Sequence, residues 1–478
     1  MNMKKLLFLL LGTFALTSHA QTCIIPGDYP DPSILRDGKD FYMTHSPFYY
    51  KPGFLIWHST DLCHWKPVCR AIDNWEGSAM APDLVKCNGK YYIYYPAKGT
   101  NWVVWADRME GPWSKPIDLH LRLIDPGHLR TPDGKRYLYT SDGYVVRLAD
   151  DGLSAIGKQE KTYDGWVYPS EWDTECMCLE SPKLTFKDGF YYMTTAEGGT
   201  AGPATSHMVV SARSKSPLGP WENSPLNPIV HTYSAAEPWW SKGHGTLVDD
   251  ADGNWWIVYH AYAKDYHTLG RQTLIEPIEW TADGWFKTKG TPVPMHFAAT
   301  MPLSDNFTAE KLGMQWTFWK ECAPEALSIG NGKLTMEAKG TSPSDARVLL
   351  ATATDTSYVA QVDVTVDEGA EAGLMLFYNE KAYAGLISDG NTFKIYSNAT
   401  QCSTVKNEFG KRFRVRLENK GNAVTVKVSN DGRQWTTIAE GIDVSSLHHN
   451  NYNGFYALRI ALTAYGNGKA TFRKFTYK

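Results

Sequence analysis

The chain predicts an all-β fold, a five-bladed β-propeller followed by a β-sandwich, and three observations carry that expectation. First, a phrase of a short apolar strand, a turn ending in Gly and one or two aromatics recurs five times between residues 31 and 256. A repeat of roughly 45–65 residues built only of strands marks a propeller with one blade per copy. Second, Gly and Pro punctuate residues 28–285 at short intervals, with no long stretch of helical apolar spacing. Third, past residue 303 the alternation of apolar and polar residues becomes strict, as in half-buried antiparallel strands.

Residues 1–20 read as a secretory signal peptide: Lys4-Lys5 as the positive end, an apolar stretch from Leu6 to Leu16, and Ser18-His19-Ala20 as a small-x-small cleavage site. The apolar stretch is too short to span a bilayer, so no membrane span is expected. A soluble protein exported to the periplasm or the exterior is expected, although Cys23 lies just past the cleavage site.

The propeller is assigned to residues 21–300. Its copies read Asp31-Pro-Ser-Ile-Leu-Arg-Asp-Gly38, Ala81-Pro-Asp-Leu-Val-Lys-Cys-Asn-Gly89, Asp125-Pro-Gly-His-Leu-Arg-Thr-Pro-Asp-Gly134, Glu180-Ser-Pro-Lys-Leu-Thr-Phe-Lys-Asp-Gly189 and His244-Gly-Thr-Leu-Val-Asp-Asp-Ala-Asp-Gly253. Lys289 to Met295 and Ala298 to Pro302 form a Pro-marked linker. The sandwich is assigned to residues 303–478: Phe413, Val415 and Leu417 face one way, Arg414 and Arg416 the other. Gly421-Asn422 turns the chain, and Val424, Val426 and Val428 resume the alternation. Bracing of the propeller is favoured over polysaccharide binding for this domain, because no aromatic row marks it.

The 478 residues are 43% apolar and 21% charged, a globular balance in a chain too long for one ordinary core. The formal net charge is −3 with no basic stripe, which argues against nucleic acid as a partner. The 18 Trp and 27 Tyr suit β-strands, and some suit the apolar face of a sugar ring. The eight Cys permit disulfides in an exported chain. Cys176-Met-Cys178 nevertheless looks too tight for an ordinary bridge, most thiols are expected buried or free, and no metal is expected from them.

The chemistry lies in what opens each phrase. A propeller points the start of each innermost strand at its axis, so Asp31, Asp125, Glu180 and His244 are expected to converge. Cleaving a glycosidic bond needs one protonated and one ionised carboxyl group. A third negative group nearby raises the pKa of the acid and keeps it protonated. Any one of these residues alone reads more readily as a turn or loop cap. Acids at the same repeat position in three blades are harder to explain structurally, because burying like charges together is costly. Arg271 could be a salt-bridged core residue or could reach sugar hydroxyls. Phe48 could be plain packing or one wall of a sugar pocket.

The chain resembles family 43 of the glycoside hydrolases. The resemblance rests on Gly27-Asp-Tyr-Pro-Asp31-Pro-Ser33, Pro52-Gly53, His58-Ser-Thr-Asp-Leu-Cys-His-Trp65, Ala81-Pro82, Ile124-Asp125-Pro126, Glu180-Ser-Pro182, Ala196-Glu-Gly-Gly-Thr200, Ala212-Arg-Ser214, Gly243-His-Gly245 and Gly270-Arg271. These cover the whole propeller in order. Leu303-Ser-Asp-Asn-Phe307 through Tyr378 is similar to the concanavalin-like sandwich of that family's xylosidases. The resemblance implies Asp31 as general base, Glu180 as general acid and Asp125 as the group that tunes and orients the acid, with inversion at the anomeric carbon. It implies that Phe48 lines the terminal-sugar site, that Arg271 binds hydroxyls, and that His244 is the axial His, near which some relatives hold a calcium ion. No cofactor is required, and a structural calcium near His244 is the one ion the resemblance suggests. His207 matches a family His without an assignable role. Two departures stand out: Met80 where the family commonly has Trp, and Ser181 where it usually has Gly.

The expected activity is exo-acting, inverting hydrolysis that releases terminal β-D-xylose or α-L-arabinofuranose from plant cell-wall polysaccharides or oligosaccharides. The rival readings are a non-catalytic carbohydrate-binding protein and a retaining propeller glycosidase of the fructan-cleaving type. The complete acid set speaks against the first. Tyr-Pro-Asp-Pro-Ser and Ile-Asp-Pro, in place of that type's motifs, speak against the second.

Overall fold

In the computed structural model, which describes residues 21–291 and 297–478, each of the five phrases supplies the two innermost strands of one propeller blade, a sheet of four or five strands. The segment expected as a secretory signal and residues 292–296 of the linker lie outside the described residues. Blade one runs from Ser33–Asp37 outward through Asp40–Thr44 and Gly53–Ser59 to His64–Ile72. The inner hairpins of blades two, three and four begin at Asp83–Cys87, Gly127–Arg130 and Glu180–Lys187. Blade five is built on Trp239–Asp249, Trp255–Ala263 and Gln272–Trp280, and Thr22–Ile25 from the start of the described chain pairs with Gln272–Trp280. The first and last segments of the propeller thereby share one sheet, which closes the ring.

The Gly of the phrases acts at the hairpin turn. Asn88-Gly89 and Asp188-Gly189 both have positive φ at the two turn positions, +51° and +79° in each pair. This is the two-residue turn whose twist matches the flanking strands.

Two antiparallel sheets of eight and seven strands form the C-terminal domain. Phe413, Val415 and Leu417 are buried against Val424, Val426 and Val428, with Leu417 opposite Val426 and Val415 opposite Val428. The two domains share backbone as well as surface. Tyr50–Lys51, from the propeller, pairs with Trp316–Trp319 and is the eighth strand of the larger sheet. Ala298–Ala299, expected as linker, is a strand laid parallel against His64 and Trp65 of blade one. Backbone donors that a linker would leave to water are satisfied there instead, since Ala298 N–H donates to the Cys63 carbonyl at 2.9 Å.

The cysteine expectation needs one correction. Cys176 and Cys178 form a disulfide, with their Cα atoms 5.3 Å apart, inside the ordinary range for a bridge. Two residues in a straight strand would stand further apart, so the chain is bent at Met177, and φ +42° at Cys178 re-aims its side chain. The other six cysteines are free.

Candidate active site

The residues that open the phrases share a backbone conformation. Asp31, Ala81, Asp125 and His244 have φ of +56°, +37°, +58° and +55°. In blade four the left-handed residue is Ser181, at +55°, one place after Glu180. Non-glycine residues in this region persist only where the surroundings over-determine them, and they cluster at functional sites. In blades one and three the acid precedes its strand. In blades four and five Glu180 and His244 lie within theirs, beside register shifts that break the ladder. Bulges of this kind re-aim a side chain.

Asp31, Asp125 and Glu180 meet around His244. Its Nδ1 stands 3.3 Å from Asp31 Oδ1, and its Nε2 stands 3.2 Å from Asp125 Oδ2 and 3.3 Å from Glu180 Oε1. Two contacts and the width of one imidazole separate Asp31 from Glu180, so these carboxyl groups stand no more than about 9 Å apart. That lies within the upper limit of about 9.5 Å for an inverting pair with a water between them.

The environments of the two differ. Asp31 is buried, which alone would raise its pKa. Arg271 Nη1 at 2.8 Å, the His244 ring and His260 Nδ1 at 3.1 Å outweigh that and hold it well below the usual carboxylate range. Ser46 Oγ donates to its other oxygen. Glu180 is raised, by burial and by the charges of Asp125 and Asp31, against a lowering hydrogen bond from His244. Its side chain is 18% exposed, against 4% for Asp31 and 3% for Asp125, so it is the one of the three open to an incoming molecule. Two carboxyl groups whose surroundings push their pKa values apart are the signature of an acid and base pair.

His244 itself is pushed up to about 10: burial would lower it, but Asp31, Asp125 and Glu180 together overcome that. An imidazolium and the Arg271 guanidinium thus balance the carboxylates. The expected axial calcium fits this donor set poorly. Calcium takes six to eight oxygen ligands, whereas the groups clustered here are Asp31, His244 and His260, or Glu180, His207 and His244.

Arg271 is the salt-bridged residue the sequence allowed for, and it also lies between two aromatic rings. Its guanidinium carbon is 5.7 Å from the centre of Phe48 and 5.6 Å from that of Phe455. Phe48 is buried, its N–H donates to the Ala79 carbonyl, and its own carbonyl accepts from the Trp75 indole at 3.1 Å. Phe455 comes from the sandwich, which therefore contributes a wall to the site. The segment carrying it is pinned to the propeller: Tyr262 Oη and His449 Nδ1 lie 2.8 Å apart, Leu458 N–H donates to the Thr268 carbonyl at 2.8 Å, and Gly202 N–H donates to Asn450 Oδ1 at 3.1 Å. His207 is fully buried with neither ring nitrogen partnered among the described residues. It stacks on His260 with ring centres 5.3 Å apart, and a Cβ on Gly243 would come within 1.7 Å of it.

The sequence reading missed His260 and Phe455. His260 is a polar residue inside the apolar run of Trp255–Ala263, and that placement was a usable signal. Phe455 sits in an Asn-rich irregular segment and acquires its role only through the docking of the domains.

Beneath the site, Lys183 is buried on the axis and ties three blades together. Its Nζ donates to Asp83 Oδ1 and the Pro82 carbonyl at 2.9 Å and to the Pro126 carbonyl at 3.2 Å. The adjacent Ser181 carries both left-handed backbone strain and a buried hydroxyl without a partner. Ser181→Gly removes about 1–2 kcal/mol of left-handed strain, against about 0.5–1 kcal/mol of extra chain entropy. A net gain of about 1 kcal/mol is expected, read by urea denaturation; a loss would show that the hydroxyl is bonded.

Fold and site together define a class: a five-bladed propeller glycoside hydrolase with its carboxyl groups gathered on the axis. The comparisons agree. Residues 20–286 match the profile of the glycosyl hydrolases family 43, and residues 304–478 match that of the β-xylosidase C-terminal concanavalin A-like domain. The chain belongs to family 43, whose members invert the anomeric centre. It is 32% identical over 434 residues to a non-reducing end α-L-arabinofuranosidase of Bacteroides ovatus, covering 81% of this chain and 80% of that protein. It is 30% identical over 384 residues to a xylan 1,3-β-xylosidase of a Vibrio species, covering 68% and 69%. Among solved structures, the family 43 protein BlXynB of Bacillus licheniformis superposes with a TM-score of 0.85 at 27% identity, covering 96% of this chain and 99% of the other.

Proposed function

We propose that this hydrolase is an exo-acting pentosidase that removes terminal β-D-xylose or α-L-arabinofuranose from plant cell-wall oligosaccharides or polysaccharides. The observation that carries the reading is the split environment of Asp31 and Glu180 around His244. Glu180 is the general acid: its proton passes to the glycosidic oxygen as the bond to the anomeric carbon breaks. Asp31 is the general base: it takes a proton from the water that attacks the opposite face of that carbon. Asp125 keeps Glu180 protonated by its negative charge and shares the orienting contact with His244. Arg271 holds Asp31 ionised and offers its remaining N–H groups to sugar hydroxyls, with Phe48 and Phe455 as apolar walls. Relatives named for each sugar support both candidates. The leader-like residues 1–20 support export.

The deciding experiment follows aryl β-D-xylopyranoside and aryl α-L-arabinofuranoside by proton NMR. One of the two is expected to be hydrolysed, with the first-formed sugar in the inverted configuration. Retention, or binding without release, overturns the assignment.

A further inference from the structure

Ten large hydrophobic residues among those described remain more than a third exposed, and five of them, Ile124, Val167, Met177, Tyr233 and Phe455, are on segments that flank or lead into the site. Ile124 precedes Asp125, and Phe455 flanks Arg271. The other three sit on the two connections that frame blade four. One runs from the outer strand Ala155–Lys161 of blade three to Glu180, and the other from Val230–His231 to Trp239. A connection from an outer strand to the next innermost strand must cross the mouth, because that is where the innermost strand starts. Val167, at 88%, and Tyr233, at 66%, are the most exposed of the ten. Apolar surface gathered at one place marks a binding surface, whereas single exposed residues do not.

The two connections meet in an aromatic stack. Trp172 lies on His231 with ring centres 4.5 Å apart and planes 11° apart, and Tyr168 lies nearly parallel to it at 6.4 Å. Trp166 and Tyr233 stand edge-on to Trp172 at 6.1 and 6.2 Å. The stack is fixed from below. Trp166 N–H donates to Glu197 Oε1 at 2.7 Å, Tyr168 Oη donates to the Cys176 carbonyl at 3.1 Å beside the disulfide, and Glu175 Oε2 accepts from Ala201 N–H at 2.9 Å. A surface held in place by its own framework needs no ordering when a ligand arrives.

Its position selects the ligand. Asp31, Arg271, Phe48 and Phe455 wall the side of the site formed by blades one and five and the sandwich. The leaving group departs on the side of Glu180, and the segment bearing Val167 and Trp172 runs directly into Glu180. We propose that Trp166, Trp172 and Tyr233 form a platform for glycosyl units of the leaving group beyond the one at the scissile bond, so that the enzyme prefers longer oligosaccharides. An apolar sugar face packs on such rings while its hydroxyls stay in water. The inference rests on the pentosidase reading above and extends it from the sugar removed to the chain it is removed from.

The test compares an aryl pentoside, a disaccharide and a tetrasaccharide of the sugar the enzyme releases. The wild-type kcat/KM is expected to rise about tenfold from disaccharide to tetrasaccharide. Tyr233→Ala, which removes an exposed side chain and spares the core, should raise KM for the tetrasaccharide about fivefold and leave the aryl pentoside unchanged. Trp172→Ala should do the same or more wherever it folds. A flat dependence on chain length, or a Tyr233→Ala variant with wild-type KM on the tetrasaccharide, overturns the platform and leaves the pentosidase reading standing. A wild type inert toward aryl pentosides overturns that reading and the platform with it.

Discussion

Replacing Glu180 by Gln is expected to lower turnover of an unactivated disaccharide by about 10²–10⁴-fold, the usual contribution of a positioned general acid. The amide occupies the same space but has no proton to give to the departing oxygen. An aryl pentoside with a strongly acidic phenol should lose much less, because its leaving group departs without protonation. This contrast separates a lost acid from a damaged site, since damage would reduce both substrates alike. The pH profile gives a second readout. Wild-type activity is expected to fall as pH rises through the raised pKa of Glu180, because the acid role requires the protonated form. The variant should lack that alkaline limb. Folding should be unharmed, since the change removes a buried carboxyl group from beside Asp125 and Asp31. Full activity on the disaccharide would show that the proton comes from elsewhere.

The parts of this arrangement that repeat were legible in the sequence, and those that depend on one long-range contact were not. Asp31, Asp125, Glu180 and His244 occupy equivalent places in a fivefold pattern, so symmetry alone brings them to one axis. The strands of the sandwich were legible for a related reason: Phe413 to Val428 alternates with a period of two, and only one face can be buried. Phe455 and Arg459 follow no period. Their roles arise where an irregular segment and the strand start that follows it lie against the other domain, which no local pattern encodes. The Cys176–Cys178 bridge was misjudged because spacing alone does not report the bend of the chain at Met177. The axial calcium was suggested by resemblance, and neither cluster of candidate ligands at His244 holds more than one carboxylate.

Arg459→Leu is expected to destabilise the protein by about 3–5 kcal/mol, because it strands a buried charge. Arg459 Nη2 lies 3.1 Å from Asp28 Oδ2, with the two side chains 8% and 1% exposed, and its guanidinium carbon is 3.3 Å from the ring centre of Tyr50. Asp28 already has a raised pKa, from burial, with Arg459 opposing the rise, and its second oxygen has no partner among the described residues. Without Arg459 the folded-state pKa of Asp28 climbs further above its unfolded value. Protonation then offsets the loss at acid pH, so the destabilisation is smallest below about pH 4 and grows as pH rises through the folded-state pKa. Thermal denaturation at a series of pH values reads this slope directly. Asp28→Asn in the same chain should recover part of the stability and flatten the slope, because no charge remains to be stranded. A loss that ignores pH, or that the double variant fails to reduce, would mean that Arg459 acts by packing on Tyr50 alone. Activity should fall as well. Asp28 lies three residues before Asp31, and a Cβ on Gly270, next to Arg271, would come within 2.3 Å of its carboxylate oxygen. The ion pair between the domains thus fixes the strip of chain that carries Asp31.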